Sequence, residues 1–184
     1  MRLNCGLSKV NKGIPLKRTL RRNPSFRVFG VNDADDPIRR DIGWLWAAYQ
    51  HGGIDDIGIP EGLDKDEFDA LARQALERFD EAFVMEAGKP VGIMTARLEQ
   101  REDGPDKMEP HAHWFPWASA REKLEATVKF IAGMDGFKVL VWAKPQAKTF
   151  FNHVCKRGIL QRVGTVPGYF ETEGGCLFTS RERK

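Results

Sequence analysis

Cysteine is scarce in this chain and its three copies, Cys5, Cys155 and Cys176, stand far apart. Such spacing offers neither a disulfide framework nor a zinc ligand set, and it suits a reducing compartment. Long apolar runs are missing too: no stretch approaches the roughly 20 residues that cross a bilayer. The N-terminus is basic, but no apolar segment follows it, so it does not read as a secretory signal. Acid is absent from the first 31 residues, which carry eight basic side chains: Arg2, Lys9, Lys12, Lys17, Arg18, Arg21, Arg22 and Arg27. Of the 29 basic residues, 21 then remain against 26 acidic ones, so a basic arm precedes a body of net charge −5. An arm of this kind can neutralise nucleic acid or lie on an acidic protein neighbour; it can also be a solvated tail.

What is present suffices for one core. Hydrophobic residues make up 41% of the 184, with five Trp among them. The simplest division is an extended arm over residues 1–25 and one domain over 26–184. Ser25 to Val31 alternates and predicts a strand. Asp36-Pro37 opens a helix whose apolar face is Ile38, Ile42, Leu45, Trp46 and Tyr49, ended by Gly52-Gly53. Trp44 and Trp46 fall on different sides of it, one expected in the core and the other partly exposed. Asp64 or Asp66 caps a second helix facing inward through Phe68, Leu71, Ala72, Ala75, Leu76 and Phe79. A hairpin joins strands 82–87 and 91–98 across Gly88-Lys89. Another strand runs from Glu109 to Phe115. Ser119 and Glu122 form a Ser-x-x-Glu capping box that opens a helix with a stripe of Leu124, Thr127, Val128 and Ile131. Phe137 to Ala143 predicts a central strand, residues 146–157 a helix stopped by Gly158, and residues 159–166 a strand. Tyr169–Glu171 and Cys176–Thr179 read as its antiparallel partners around Gly174-Gly175. Strands alternating with helices imply a mixed α/β sheet.

Two local patterns carry a resemblance. One is strand–proline–helix at Trp114-Phe115-Pro116, followed by the helix at Ser119. The other is Ala147-Lys148-Thr149-Phe150-Phe151 after the strand Val139-Leu140-Val141-Trp142, similar to Asn-x-x-Ala-x-x-Phe-Tyr. With the element order, they resemble the GNAT superfamily of N-acetyltransferases over residues 26–180. The resemblance implies a mixed, mostly antiparallel twisted sheet flanked by about four helices. It also implies an acetyl-CoA pyrophosphate at the start of the helix after the fourth strand, where the family has Arg/Gln-x-x-Gly-x-Gly/Ala. Backbone N–H groups at a helix start bind phosphate, and glycine lets the backbone come close. The corresponding stretch here, Ala118-Ser119-Ala120-Arg121, has no glycine. Its capping box occupies N–H groups, and Glu122 sets a negative charge beside the site, which Arg121 offsets only in part. The family's acid tyrosine aligns with Phe151, and its asparagine with Lys144.

Other chemistry-bearing residues are few. His111 and His113 share a strand face with Glu109, an arrangement for a metal ion or for a general base at a cleft; the plain alternative is a half-buried polar face. His153 and Cys155 are not on one helix face, so no Cys–His nucleophile follows. Cys176 reads as a small buried residue. Trp114, Phe115 and Trp117 read as core, or as rings filling a vacated cleft or anchoring an interface.

The missing glycines, together with Trp114-Phe115-Pro116-Trp117, look like GNAT-like proteins encoded by tailed bacteriophages. The expectation is therefore a non-catalytic GNAT-fold assembly protein with no cofactor, in a virion or host cytoplasm. Its basic arm would dock on neighbouring subunits, or on nucleic acid. The alternative is an acetyl-CoA-dependent N-acetyltransferase with an atypical cofactor loop.

Overall fold

The computed structural model describes residues 25–28, 37–51, 59–76, 81–101, 106–134, 136–170 and 173–181. The predicted arm lies outside these residues apart from Ser25. So do Phe29 to Val31 of the first predicted strand and Phe79 of the second predicted helix. Among the described residues seven strands form one sheet: β1 (Phe26–Val28), β2 (Glu81–Glu86), β3 (Pro90–Glu99), β4 (Lys107–Trp114), β5 (Lys138–Ala143), β6 (Leu160–Phe170) and β7 (Glu173–Ser180), in the order β1-β2-β3-β4-β5-β7-β6. Neighbours run antiparallel except β4 and β5, which are parallel. Among the described residues four helices flank the sheet: α1 (Pro37–Gln50), α2 (Lys65–Leu76), α3 (Ala120–Ala132) and α4 (Lys148–Lys156), the last entered through a 3-10 turn, Pro145–Ala147. This is the mixed, mostly antiparallel architecture expected. No helix among the described residues is long and apolar enough to cross a membrane.

Strand alternation sends side chains to two cores. On one face Ile42, Leu45 and Ala48 of α1 and Phe68 and Ala72 of α2 bury Val84 and Ile93 of the sheet, with Phe115. On the other face Phe130 and Ile131 of α3 and Val154 of α4 cover Phe83, Met94, Met108, Val139, Val141 and Phe178. The starts of α2 and α3 follow the expected chemistry, while Asp36, the expected cap of α1, lies outside the described residues. Asp64 Oδ1 accepts from the N–H of Asp66 at 3.0 Å and of Glu67 at 2.9 Å, which makes Asp64 the cap of α2. At α3 both halves of the Ser119–Glu122 capping box are formed.

Several expectations are corrected. The buried stripe of α3 is Ala126, Thr127, Phe130 and Ile131, while Leu124 and Val128 are half-buried. Phe130 governs this rotation, because its ring meets both Phe26 and Phe83 at under 6 Å, with centroids 5.8 and 5.6 Å away. Trp44 and Trp46 are both half-buried: Trp44 packs on Trp117, and Trp46 on Tyr49 and Phe68. Tyr169 and Phe170 belong to β6 itself, and Gly174 and Gly175 lie inside β7. Two register shifts, at Arg162/Gly164 and Val166/Phe170, let β6 continue through Pro167 and Gly168.

Gly92 of β3 sits opposite Trp114. A Cβ there would lie 2.6 Å from the His113 carbonyl oxygen and 2.9 Å from the Met85 methyl. The backbone contact cannot be relieved by a rotamer change. Gly92→Ala is therefore expected to destabilise the fold by about 1–3 kcal/mol. Thermal denaturation should show the midpoint falling by roughly 2–4 °C for each kcal/mol.

Candidate functional site

The parallel ladder between β4 and β5 is short, with only Lys107↔Lys138 and Met108↔Val139 in register. The sequence explains why it stops. The Phe115 N–H donates to Val91 O at 3.0 Å, and the Lys138 N–H donates to Asp106 O at 2.9 Å. By alternation, the backbone groups of odd-numbered β4 residues face β3 and those of even-numbered residues face β5. The ladder bond after Met108 would need an N–H from residue 110. That residue is Pro110, which has none. β4 and β5 separate at this point, and the β5-facing edge of β4 carries the main-chain groups of Ala112 and Trp114.

The separation opens a cleft of about 1330 Å³. Its volume exceeds the roughly 300–1,000 Å³ of a drug-sized site, which suits a long ligand. The α3 side is lined by Trp114, Lys123, Thr127 and Ile131, and the α4 side by Phe150 and Phe151. On the opposite side of the sheet β4 contributes Glu109, His111 and His113. Their cross-strand partners are Arg97, Thr95 and Ile93, which places them on the α1/α2 face. Trp142, adjacent to the oppositely facing Val141, is on that face too, stacked flat on Tyr169 at 3.9 Å and 12°. The cleft thus runs through the sheet, with apolar rings and a lysine at one mouth and ionisable groups at the other.

Each predicted site residue has a definite place. Ala118 is buried and donates its N–H to Phe115 O at 3.0 Å. Ser119 is the N-cap of α3 and Ala120 begins the helix. The Glu122 N–H donates to Ser119 Oγ at 3.2 Å, and the Ser119 N–H donates back to Glu122 Oε2 at 2.8 Å. Arg121 turns away and binds Glu125 through Nε at 2.9 Å. Of the arm residues Arg2, Lys9, Lys12, Lys17, Arg18, Arg21 and Arg22 lie outside the described residues, and Arg27 belongs to β1, opposite Val84. Lys144 lines the cleft from an exposed position. Phe151 packs on Phe150 and Phe178. His153 is exposed, while Cys155 is half-buried and burial raises its thiol pKa. Among the described residues no three metal-ligating side chains gather. The Trp114–Trp117 cluster divides: Trp114 lies under the Lys123 ammonium at 5.9 Å, while Trp117 packs on Trp44 and Phe115 and donates its Nε1–H to Pro90 O at 2.8 Å.

Sequence reasoning passed over two residues. Pro110 carries a signal, since a proline within a strand marks an unpaired edge. Tyr169 carries one also, because the chain has only two tyrosines and the other is committed. The Tyr49 hydroxyl donates to Pro60 O at 2.7 Å and accepts from the Leu63 N–H at 3.0 Å. Tyr169 lines the cleft, and burial together with the Glu109 charge raises its pKa, so its hydroxyl is neutral at neutral pH.

Acetyl-CoA, implied by the sequence resemblance, fits this site in part. The separated strands and the free β4 edge match an extended thioester arm. The start of α3 does not match a pyrophosphate, because the capping box takes an N–H there and adds a carboxylate. Among solved structures the chain is similar to a probable acetyltransferase of the GNAT family from Chromobacterium violaceum, with a TM-score of 0.60 and 15% identity over 88% of this chain and 85% of that one. It is similar to the aminoglycoside N-acetyltransferase AAC(6')-Ib11, with a TM-score of 0.59 and 10% identity over 86% and 96%. A Vibrio cholerae spermidine N-acetyltransferase chimera gives 0.54 and 11% over 84% and 95%. No family model matches the sequence, and no curated protein does. At these identities the likeness establishes the fold, which is that of the GNAT N-acetyltransferases.

Two outcomes follow from the geometry. A Cβ on Gly175 would lie 2.8–2.9 Å from the Tyr169 side chain. Gly175→Ala should swing that ring off Trp142, seen as a change in near-ultraviolet circular dichroism with the far-ultraviolet spectrum kept. Hydrogen bonds from Ser119, backbone first and then side chain, hold the Glu122 carboxyl below the usual carboxylate range. Its contribution is then present above the unfolded value of about 4.3 and lost as pH falls through the lower folded value. The gap in melting temperature between the parent and Glu122→Gln should be full at neutral pH and close under acid.

Proposed function

We propose that the chain is an N-acyltransferase that works from a thioester donor held in the β4–β5 cleft. The observation that carries this reading is the cleft itself, open through the sheet and edged by half-buried ionisable groups, in a fold shared with acetyltransferases. A bound thioester would supply the acyl carbon and a thiolate leaving group. The main-chain groups of Ala112 and Trp114 hold the donor along the β4 edge. On the α1/α2 side the Glu109 carboxylate, with the His111 imidazole on the same strand face, takes the proton that an ammonium acceptor must lose before its nitrogen attacks. Trp142 and Tyr169 form the wall against which the acceptor rests. Phe151 has no proton to give; the neutral Tyr169 hydroxyl is the tyrosine donor at this cleft. The test is thiol release from acetyl-CoA and from acetyl-pantetheine across a panel of primary amines. Amine-dependent release is expected, with kcat lowered roughly 10²-fold in Glu109→Gln. Thiol release by the parent with no amine in the panel would overturn the reading.

A second reading is favoured by the capped start of α3 and by Phe151. In it the chain is a non-catalytic GNAT-fold assembly protein, such as a tailed-phage virion component, that docks through the basic residues of its first 31 positions. It takes no acyl donor, and removing residues 1–24 would spoil assembly while the body stays folded.

A further inference from the structure

We infer that the start of α3 does not take the diphosphate of an acyl-CoA, so that recognition of the donor proposed above ends with its pantetheine arm. The inference rests on the acyl-transfer reading and narrows its donor. Pantetheine is an extended chain with two secondary amides, and an open strand edge binds such a chain by main-chain hydrogen bonds, as it would bind an added strand. Pro110 keeps that edge open, and Ala112 and Trp114 each present an N–H and a C=O along it.

The end of the ligand that would reach α3 meets different chemistry. A helix start attracts phosphate through N–H groups that lack partners and through the positive end of the helix dipole. At α3 the Glu122 N–H is taken by Ser119 Oγ at 3.2 Å. The Glu122 carboxylate accepts from the Ser119 N–H at 2.8 Å and from its hydroxyl at 2.7 Å. A fixed negative charge therefore stands where a diphosphate would bring two more. The guanidinium of this turn does not compensate, because Arg121 is bonded to Glu125 at 2.9 Å. Lys123 follows in the helix, with its ammonium over the Trp114 ring at 5.9 Å, and the Lys89 ammonium, over the Trp117 ring at 5.3 Å, offsets the Glu122 charge only in part. The helix start supplies its own anion, and the ligand has no need to bring one.

The shared chemistry is a pantetheine thioester, free or tethered through a single phosphate to a carrier protein. The experiment is calorimetric titration of the full chain with acetyl-CoA, S-acetyl-pantetheine, S-acetyl-4′-phosphopantetheine and an acidic carrier protein bearing the acetylated arm. The three small donors are expected to bind with dissociation constants within about threefold of one another. Glu122→Gln should tighten acetyl-CoA while leaving S-acetyl-pantetheine unchanged. Acetyl-CoA binding about 30-fold or more tighter than S-acetyl-pantetheine would overturn this inference and leave acyl transfer standing. Binding by none of the four would overturn both. Among supporting outcomes, tighter binding of the carrier-borne arm than of free phosphopantetheine assigns a tethered donor, and equal binding assigns a free one.

Discussion

A single absent hydrogen, on the nitrogen of Pro110, shapes the functional half of this protein. β4 has two edges. One is satisfied by a continuous antiparallel ladder with β3 from Lys107 to Trp114. The other begins a parallel ladder with β5 and loses it after Met108. Proline is tolerated in strands only where its missing donor faces an unpaired edge, and the alternation of backbone groups puts Pro110 on the β5-facing edge. The same residue therefore costs nothing against β3 and ends the pairing with β5. Once the strands part, the space between them must be lined by side chains from both faces. Rings and aliphatic groups close the α3 and α4 side, and Glu109, His111, Trp142 and Tyr169 line the other. The cleft follows from strand chemistry and needs no loop to build it.

The two ends of the cleft are tuned separately. At α3 the Ser119–Glu122 box satisfies orphan helix donors, a local gain worth about 1 kcal/mol for a good N-cap. That gain competes with anion binding, because the groups it satisfies are those a phosphate would take. In acidic solution Glu122 protonates and the competition eases, which ties the charge at this mouth to pH. At the other mouth the Tyr169 ring is positioned by subtraction. Gly175 leaves room for it on β7, and Trp142 receives it face to face. Burial and the Glu109 carboxylate keep its hydroxyl neutral. One mouth carries the Glu122 carboxylate at a capped helix start, while the other gathers a carboxylate, an imidazole and a neutral phenol.

Much of this was legible in the sequence wherever the information is local. The capping box, the Asp64 cap, the hairpin across Gly88 and the shared face of His111 and His113 each depend on residues within one turn or one strand. The GNAT order of elements was legible for the same reason. What escaped depends on registry between distant segments. Tyr169 is set by a strand that continues past two register shifts, which no period in the sequence announces. Trp114 and Trp117 look like one cluster in sequence, yet the strand end sends them to opposite faces of the sheet. Phe130 takes the centre of α3 because two rings from β1 and β2 await it, and no helical stripe shows that. Pro110 was visible, but its meaning required knowing which edge of β4 it faced.

The cleft also bears on the choice between an enzyme and an assembly part. A strand edge without a neighbour leaves main-chain donors and acceptors that a continued ladder would satisfy. A chain whose only task was to hold neighbours would gain stability by filling this space. A residue with a main-chain N–H at position 110 would allow the β4–β5 ladder to continue past Met108. Stability gains of that kind are readily reached by substitution, and their recurrent cost is lost function where activity needs the destabilised site. The arrangement around Pro110 thus argues for a ligand between β4 and β5. The capped helix start argues that the ligand's recognised part ends before α3. Both features fit the proposed donor, whose acyl-bearing arm would lie in the cleft and whose far end would not be held.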